Sequence, residues 1–526
     1  MELNLFLKIF ATIVFTPVLL FVSIIGFLLF ILPLLTYRAI ISVLARCFMS
    51  RQLRQMVSPT NAIMGAEDIF GVSSFTSFAA IELSIPSPGV DYISHCVEKN
   101  GLEVVNSATG ALLYPELKET VKSWMGFLFW TPALNFNIRN HVYCSKDLNL
   151  SLPKLKTESN NALQLYILHL VREKTWVPSR PLWDFIIIPN IPKNLLSPDT
   201  SSKCNEQLGS ILLFRMHHIL GDGICIFKFL SNIFGFSHVL QTAAKSNLHA
   251  NKNSTCQGIF LRKLIFCLRI PYDILGELLR SCPSPGIIPK MNDRDGKGSR
   301  LVGIVSNDIP VSKIKQVRQL HQVDFSSVLI AIFAGGSRRF ISKIGNGIKN
   351  LPLEVEIMFP LPMPGHPSSL TNHISHGFIR VPISEPDGMK RLQLIHRRIM
   401  ALRKSTLPWT TFFLLGLVGS LPTVLVTLLR KFGGQYGPSL IFTNLLGPAE
   451  PVKIGQFFVL GLRVGSNAPV DAPSGYCLMA ITYNGNARLT VGGLSNYLSN
   501  QEDAQEFLKG CLEELDVLAR DESAIV

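Results

Sequence analysis

The chain has 526 residues, more than one ordinary hydrophobic core supports, so two or three lobes are expected. Hydrophobic residues make up 47% of it and charged residues only 16%, which is greasier than a typical soluble enzyme. The formal net charge of +14 favours anionic partners, either a phospholipid surface or a phosphate-bearing cosubstrate. Lys and Arg are scattered without a dense basic block, which argues against nucleic acid.

Residues 9–37 carry no charged side chain. That run exceeds the roughly 20 residues needed to span a bilayer and the roughly 7–15 of a signal-peptide core, so residues 1–40 read as a membrane anchor. The excess length implies tilt, a kink at Pro17 or a re-entrant hairpin. Lys8 alone precedes the run, whereas Arg38, Arg46, Arg51 and Arg54 follow it, which places the bulk of the chain on the cytosolic side. On that topology the sequons at Asn149 and Asn253 stay unmodified. The ten cysteines show no C-x-x-C spacing, so neither a zinc signature nor a disulfide framework is expected. His373 and His376 lack a second ligand pair, and no metal is expected.

Residues 60–240 read as a first lobe of mixed strands and helices. Ser77–Ser84 is a strand, Tyr92–Lys99 a helix and Leu163–Glu173 a second helix. Arg180-Pro181-Leu182-Trp183-Asp184 leads into the apolar strand Phe185–Ile188. Ile211–Phe214 is a buried strand, and Ile224–Leu230 a helix packed on a core. Between them lies His217-His218-Ile219-Leu220-Gly221-Asp222-Gly223. Imidazole takes up a proton near neutral pH, an aspartate at this spacing can fix the loop or a nearby arginine, and glycines permit a tight strand-to-helix turn.

Residues 241–300 are polar, then amphipathic from Ile259 to Leu279, then rich in Pro and Gly, and read as a linker. The amphipathic part suits a membrane surface or burial against the protein. A second lobe, 301–520, opens with a helix from Asp324, its expected N-cap, to Phe340. Strands Glu354–Phe359 and Gly377–Ile383 and a basic helix Met389–Lys404 follow. Residues 405–429 are again uncharged, but Pro408, Gly416, Gly419 and Pro422 interrupt them. A single span there would put the two lobes on opposite sides of the membrane, so a buried or membrane-resting hairpin is expected. Short strands at 439–443, 460–465, 476–483 and 487–491 precede an amphipathic closing helix, Gln501–Leu518.

The His-His-x-x-x-Asp-Gly pattern resembles the signature of the CoA-dependent acyltransferases. Four landmarks in order make the chain similar to the wax ester synthase/diacylglycerol acyltransferase family: Asp68-Ile69-Phe70, Arg180-Pro181-Leu182-Trp183, His217–Gly223 and Thr443-Asn444-Leu445-Leu446-Gly447-Pro448. The resemblance spans about residues 60–515 and excludes the anchor. Two departures stand out: Ser326-Ser327 where the family has Asn-Asp, and Leu446 in place of a proline.

The resemblance implies an α/β (α+β) two-lobed CoA-dependent acyltransferase-like fold, here with an N-terminal transmembrane helix. It implies His218 as general base and Asp222 as a mainly structural carboxylate. His217 packs or fixes the tautomer of His218, and Gly223 lets the helix start close by. Thr443 and Asn444 are candidates for shaping the channel or donating to an oxyanion, or form a structural turn. Pro181 and Trp183 are candidates for the acceptor side, with packing the commoner role of such a Trp. Arg338, Arg339, Arg397 and Arg398 are candidate CoA-phosphate ligands. The implied reaction moves a fatty acyl group from acyl-CoA, the cosubstrate, to a long-chain alcohol, with no other cofactor. Diacylglycerol is the alternative acceptor, and a non-catalytic lipid-binding protein of the same fold the alternative of another class. Endoplasmic reticulum is the expected membrane. A condensation domain of peptide synthesis shares the motif but predicts carrier-protein neighbours, which the chain lacks.

Overall fold

A computed structural model of the chain describes residues 13–14, 17–18, 21–22, 24–148, 160–196, 208–236, 266, 269–274, 301–344, 351–435, 440–467, 476–495 and 498–520. The sequons at Asn149 and Asn253, and most of the 241–300 linker, lie outside these residues.

Ile24–Phe48 is one apolar helix of 25 residues with a mean hydropathy of 2.2, and it is the one helix among the described residues long and apolar enough to cross a membrane. A π-helical turn at Phe27–Ile31 precedes Pro33, whose missing N–H breaks the regular ladder. The helix runs past the expected boundary at residue 40 because its last turns have something to pack on. Ile41 and Ala45 are buried against Leu53, Phe127 and Phe129. Tyr37 donates to the Met125 carbonyl at 3.2 Å, and Arg38 donates to the Val57 carbonyl at 3.1 Å while lying over the Phe127 ring. The apolar run is therefore rooted directly in the first lobe.

That lobe is built on a six-stranded sheet. Its order is Lys453–Ile454, Phe457–Ser466, Thr76–Leu83, Leu208–His217, Trp183–Pro192 and Val142–Cys144. Leu208–His217 is buried along nearly its whole length, which explains its unbroken apolar run. Two of the six strands come from beyond residue 450, so the second lobe is not the continuous block 301–520. Phe457–Ser466 crosses back and pairs with Thr76–Leu83.

The second lobe's seven-stranded sheet has the order Ile374–Val381, Val355–Pro362, Leu440–Leu446, Tyr476–Tyr483, Asn486–Leu494 and Leu301–Val305, with Ile309–Pro310 also paired to Asn486–Leu494. Helices Phe325–Ile344, Gly388–Lys404 and Gln501–Leu518 cover one face. Asp324 caps the first of them, accepting from Ser327 N at 2.7 Å. Buried charges join the lobes: Glu82 of the first sheet accepts from Arg463 of the crossover strand at 2.6 Å and from Arg488 of the second sheet at 2.7 Å.

The second uncharged run forms two 13-residue helices, Leu407–Gly419 and Thr423–Gln435, broken at Ser420–Pro422. At 1.5 Å per residue each is about 20 Å long, short of a bilayer core of roughly 30 Å. The hairpin packs on the short helix Pro59–Met64, and a Cβ at Gly419 would run into the Pro59 carbonyl. From the linker, Asp273 docks here too, accepting from Thr406 N at 2.8 Å.

Candidate active site

The strand Leu208–His217 delivers the motif to the seam between the lobes. His217 N donates to the Leu182 carbonyl and His218 N to the Phe75 carbonyl, so two neighbouring strands brace the turn. The His217 side chain is fully enclosed. Its Nδ1 accepts from Ile219 N at 3.0 Å, so Nε2–H donates to Glu67 Oε1 at 3.0 Å. Glu67 also accepts from Ser73 Oγ and Ser74 N. Burial alone would raise the Glu67 pKa, but its bond to His217 and these further donors hold it below the ordinary value. His217 is thereby fixed as a brace, with neither ring nitrogen available as a base.

His218 is placed differently. Its Nδ1 lies 2.8 Å from Asn372 Oδ1, at the entry to the strand Ile374–Val381 of the second lobe. A backbone donor settles which way these amides point. Asn372 N donates to Asn61 Oδ1 at 2.8 Å, so that Asn61 atom is the oxygen. The Asn372 atom 3.0 Å from it is therefore the nitrogen, which also donates to the His218 carbonyl at 2.7 Å. Asn372 accordingly offers its oxygen to His218, Nδ1 carries the proton, and Nε2 holds the lone pair. Burial lowers the His218 pKa against the opposing pull of Asp222 and Asn372, and the ring stays neutral at physiological pH.

Asp222 is the N-cap of the helix Gly223–Phe234, accepting from Cys225 N at 3.0 Å. It also accepts from His373 N at 2.8 Å and lies 3.1 Å from His366 Nε2, both in the second lobe. Burial pushes its pKa up, but the bonds to His366, Cys225 N and His373 N outweigh it and hold the carboxylate below its usual range. Gly223 permits the approach of the lobes: a Cβ there would sit 2.8 Å from Leu445 Cδ2. Burial pushes the Cys225 thiol up to about 12, so it is no nucleophile.

A channel of about 300 Å³ runs between the lobes, lined by His218, Asp222 and Gly223 from the motif and by Thr443, Asn444 and Leu445 opposite. Its walls are largely apolar, with Phe75, Phe227, Met358, Ile441 and Met479 among them. His376 also lines it, its pKa lowered to about 4 by burial and by the neighbouring His218.

Residues 370–518 match the family model described as the WS/DGAT C-terminal domain. The matched stretch takes in most of the second lobe from the strand Ile374–Val381 onward. Its first residues, Leu370-Thr371-Asn372-His373, form the loop that meets His218 and Asp222. The family is one of acyltransferases. The whole chain is similar to the solved wax ester synthase/diacylglycerol acyltransferase from Marinobacter aquaeolei VT8, at 13% identity and a TM-score of 0.52, covering 88% of this chain and 99% of that one. It is similar also to the TRI3 trichothecene 15-O-acetyltransferase from Fusarium sporotrichioides, at 11% identity and a TM-score of 0.57, covering 90% and 96%. A third likeness is to the first condensation domain of the calcium-dependent antibiotic synthetase, at 11% identity and a TM-score of 0.52, covering 89% and 96%. These likenesses show a shared two-lobed fold. No curated protein sequence matches the chain.

Against the WS/DGAT frame, His218, Asp222, Gly223, Thr443 and Asn444 come together around one channel, whereas Pro181 and Trp183 do not line it. Trp183 is core: its Nε1 donates to the Leu117 carbonyl at 2.9 Å and its ring stacks on His141. The Pro-Leu-Trp segment serves the site through its backbone, at Leu182. Among the candidate phosphate ligands, Arg338 caps the Ile383 and Ser384 carbonyls, Arg339 pairs with Glu514, Arg398 pairs with Glu354, and Arg397 donates to the Gln393 carbonyl. Ser327 bonds to Asp324 and His396 on the helix-covered side, so the departure at Ser326-Ser327 is outside the channel. Among the described residues no cluster of metal-ligating side chains and no disulfide occurs. Sequence reasoning missed Glu67, Asn61 and Asn372. The one signal for Asn372 is an amide beside an apolar strand entry.

Proposed function

We propose that this chain transfers a fatty acyl group from acyl-CoA to the hydroxyl of a long-chain alcohol, with His218 as general base. The observation that carries the reading is the free Nε2 of a neutral, oriented imidazole on the wall of an apolar channel between two lobes. An alcohol is a poor nucleophile until its proton is removed as it attacks. His218 Nε2 accepts that proton while the alcohol oxygen adds to the thioester carbonyl. The oxyanion collapses, the C–S bond breaks, and the departing CoA thiolate recovers the proton from His218. No acyl-enzyme forms, and no cofactor beyond the cosubstrate is used. Thr443 and Asn444, on the opposite wall, are the donors nearest in kind to what the oxyanion needs.

The lipid substrates reach the channel from a bilayer. Trp409, Phe413, Leu414, Val424, Leu428 and Leu429 of the hairpin are exposed apolar side chains. Ile31 and Leu34 of the N-terminal helix join the apolar cluster that Leu421 and Val426 of the hairpin form with Ala66. Together they make a surface suited to resting on a membrane; the arginines after the apolar run support a cytosolic placement of the catalytic lobes, and the endoplasmic reticulum is the membrane where acyl-CoA and lipid acceptors meet. The test is an acyltransferase assay on membranes from lipid-synthesis-deficient cells, with labelled acyl-CoA and either hexadecanol or diacylglycerol. Product from hexadecanol, falling by about 10²–10⁴ in His218→Ala at unchanged membrane residence, is expected. Product from diacylglycerol alone moves the acceptor assignment, and full activity in His218→Ala ends the proposal.

A further inference from the structure

The channel has a second polar end. Thr443 lies opposite Met479, and Met479 opposite Thr490, on three adjacent strands. His376 lies opposite Pro360, and the Ile357–Leu440 and Met358–Ile441 pairs, continued by two residues, set Pro360 beside Thr443. His376, Pro360, Thr443, Met479 and Thr490 thus form one row across the sheet, and all five line the channel. With strands about 4.8 Å apart, Thr490 is about 19 Å from His376.

The end beside His376, His218 and Thr443 is where the chemistry is placed, and Met479 follows Thr443 along the row as an apolar member. At the far end the walls become polar again. Gln164, on the helix Asn160–Glu173 of the first lobe, is fully buried, and both its Oε1 and Nε2 lack a partner among the described residues. Thr490 is 7% exposed and its Oγ1 has none either. Both line the channel. Gly303 and Gly492 face each other across neighbouring strands beside them, and the Leu168 side chain packs over Gly303, where a Cβ would stand 2.8 Å from its Cδ1. An amide with no partner at the end of a hydrocarbon tunnel is a costly way to bind a methyl group.

We infer that this end binds a hydroxyl at the distal end of an aliphatic chain whose other end reacts at His218. The hydroxyl donates to Gln164 Oε1 and accepts from Gln164 Nε2–H or Thr490 Oγ1–H. Such a chain arrives either as an ω-hydroxyacyl thioester or as an α,ω-diol acceptor. The inference rests on His218 marking the reacting end.

Binding separates it from that reading. The full chain in detergent micelles is titrated with hexadecanoyl-CoA against 16-hydroxyhexadecanoyl-CoA, and with hexadecanol against 1,16-hexadecanediol, and acyl transfer is followed in parallel. One hydroxylated ligand is expected to bind at least about tenfold more tightly than its plain counterpart, and which pair shows it tells the source. In Gln164→Leu and in the near-isosteric Thr490→Val the preference shrinks or reverses. Equal binding of plain and hydroxylated ligands by the wild type overturns the inference, as does a preference that persists in both variants. If neither pair supports transfer while the binding preference stands, the reading of His218 fails and the polar end survives.

Discussion

Asn372→Ala removes the amide that fixes the tautomer of His218, and the structure gives the size of the effect. Two hydrogen bonds to His218 are lost, from Nδ1–H at 2.8 Å and to its carbonyl at 2.7 Å. A neutral hydrogen bond contributes about 0.5–1.5 kcal/mol, so about 1–3 kcal/mol is expected, or roughly 5–150-fold in kcat/KM. Asn372→Asp keeps an acceptor for Nδ1–H but adds a negative charge beside the ring, which raises the His218 pKa. The assay is kcat/KM against pH. In the wild type the acid limb lies below pH 6.5, because burial depresses the His218 pKa. It moves upward in Asn372→Asp. A merely structural amide would lower activity without moving the limb. Asn372→Ala at wild-type activity, or an unmoved limb in Asn372→Asp, refutes the reasoning.

Asp222→Ala removes a helix cap, worth about 1 kcal/mol, and strands the His373 N–H, at about 1–3 kcal/mol more, so Tm is expected to fall by several degrees. An unchanged Tm would deny it the structural role. Gly223→Ala drives a Cβ into Leu445, so activity falls, and Leu445→Ala restores it in the double variant. Additive losses would show that the glycine is needed for its backbone alone. His141, stacked between Phe136 and Trp183, has its pKa lowered to about 4 by burial. The unfolded chain therefore binds its proton first, and stability is full above about pH 6.5 and decays as pH falls towards 4. This one group contributes a loss of about 2 kcal/mol at pH 5, read as a falling unfolding temperature that is partly recovered in His141→Phe.

What could be read from the sequence was what lies close together along it. The motif is contiguous, so its strand, turn and helix were legible, and so was the hairpin, because Gly419 and Pro422 interrupt the apolar run. Asp324 announced its cap three residues from the N–H it satisfies. What failed was non-local. Phe457–Ser466 reads as a strand anywhere, and only tertiary pairing puts it in the first lobe's sheet. Asp68 drew the eye as a landmark, yet it faces solvent, and the buried carboxylate on His217 is its neighbour Glu67. Asn61 and Asn372 are 311 residues apart and carry no spacing signal. Trp183 shows the opposite error, since the segment next to the motif in space serves it by a carbonyl and not by its side chain.

The two lobes complete the site reciprocally. The first supplies His218, which is oriented by Asn372 of the second. The second supplies the His373 N–H and His366, which are held by Asp222 of the first. Glu82, gripped by Arg463 and Arg488, fastens the same seam deeper in the fold. The channel lies where the lobes meet, so the contacts that shape it also set the proton on Nδ1 and leave Nε2 bare. Asp222 bonds across the seam to His373 N and His366 and so bolts the lobes together. The carboxylate four residues after His218 holds the second lobe in place, and the glycine after it makes room for it.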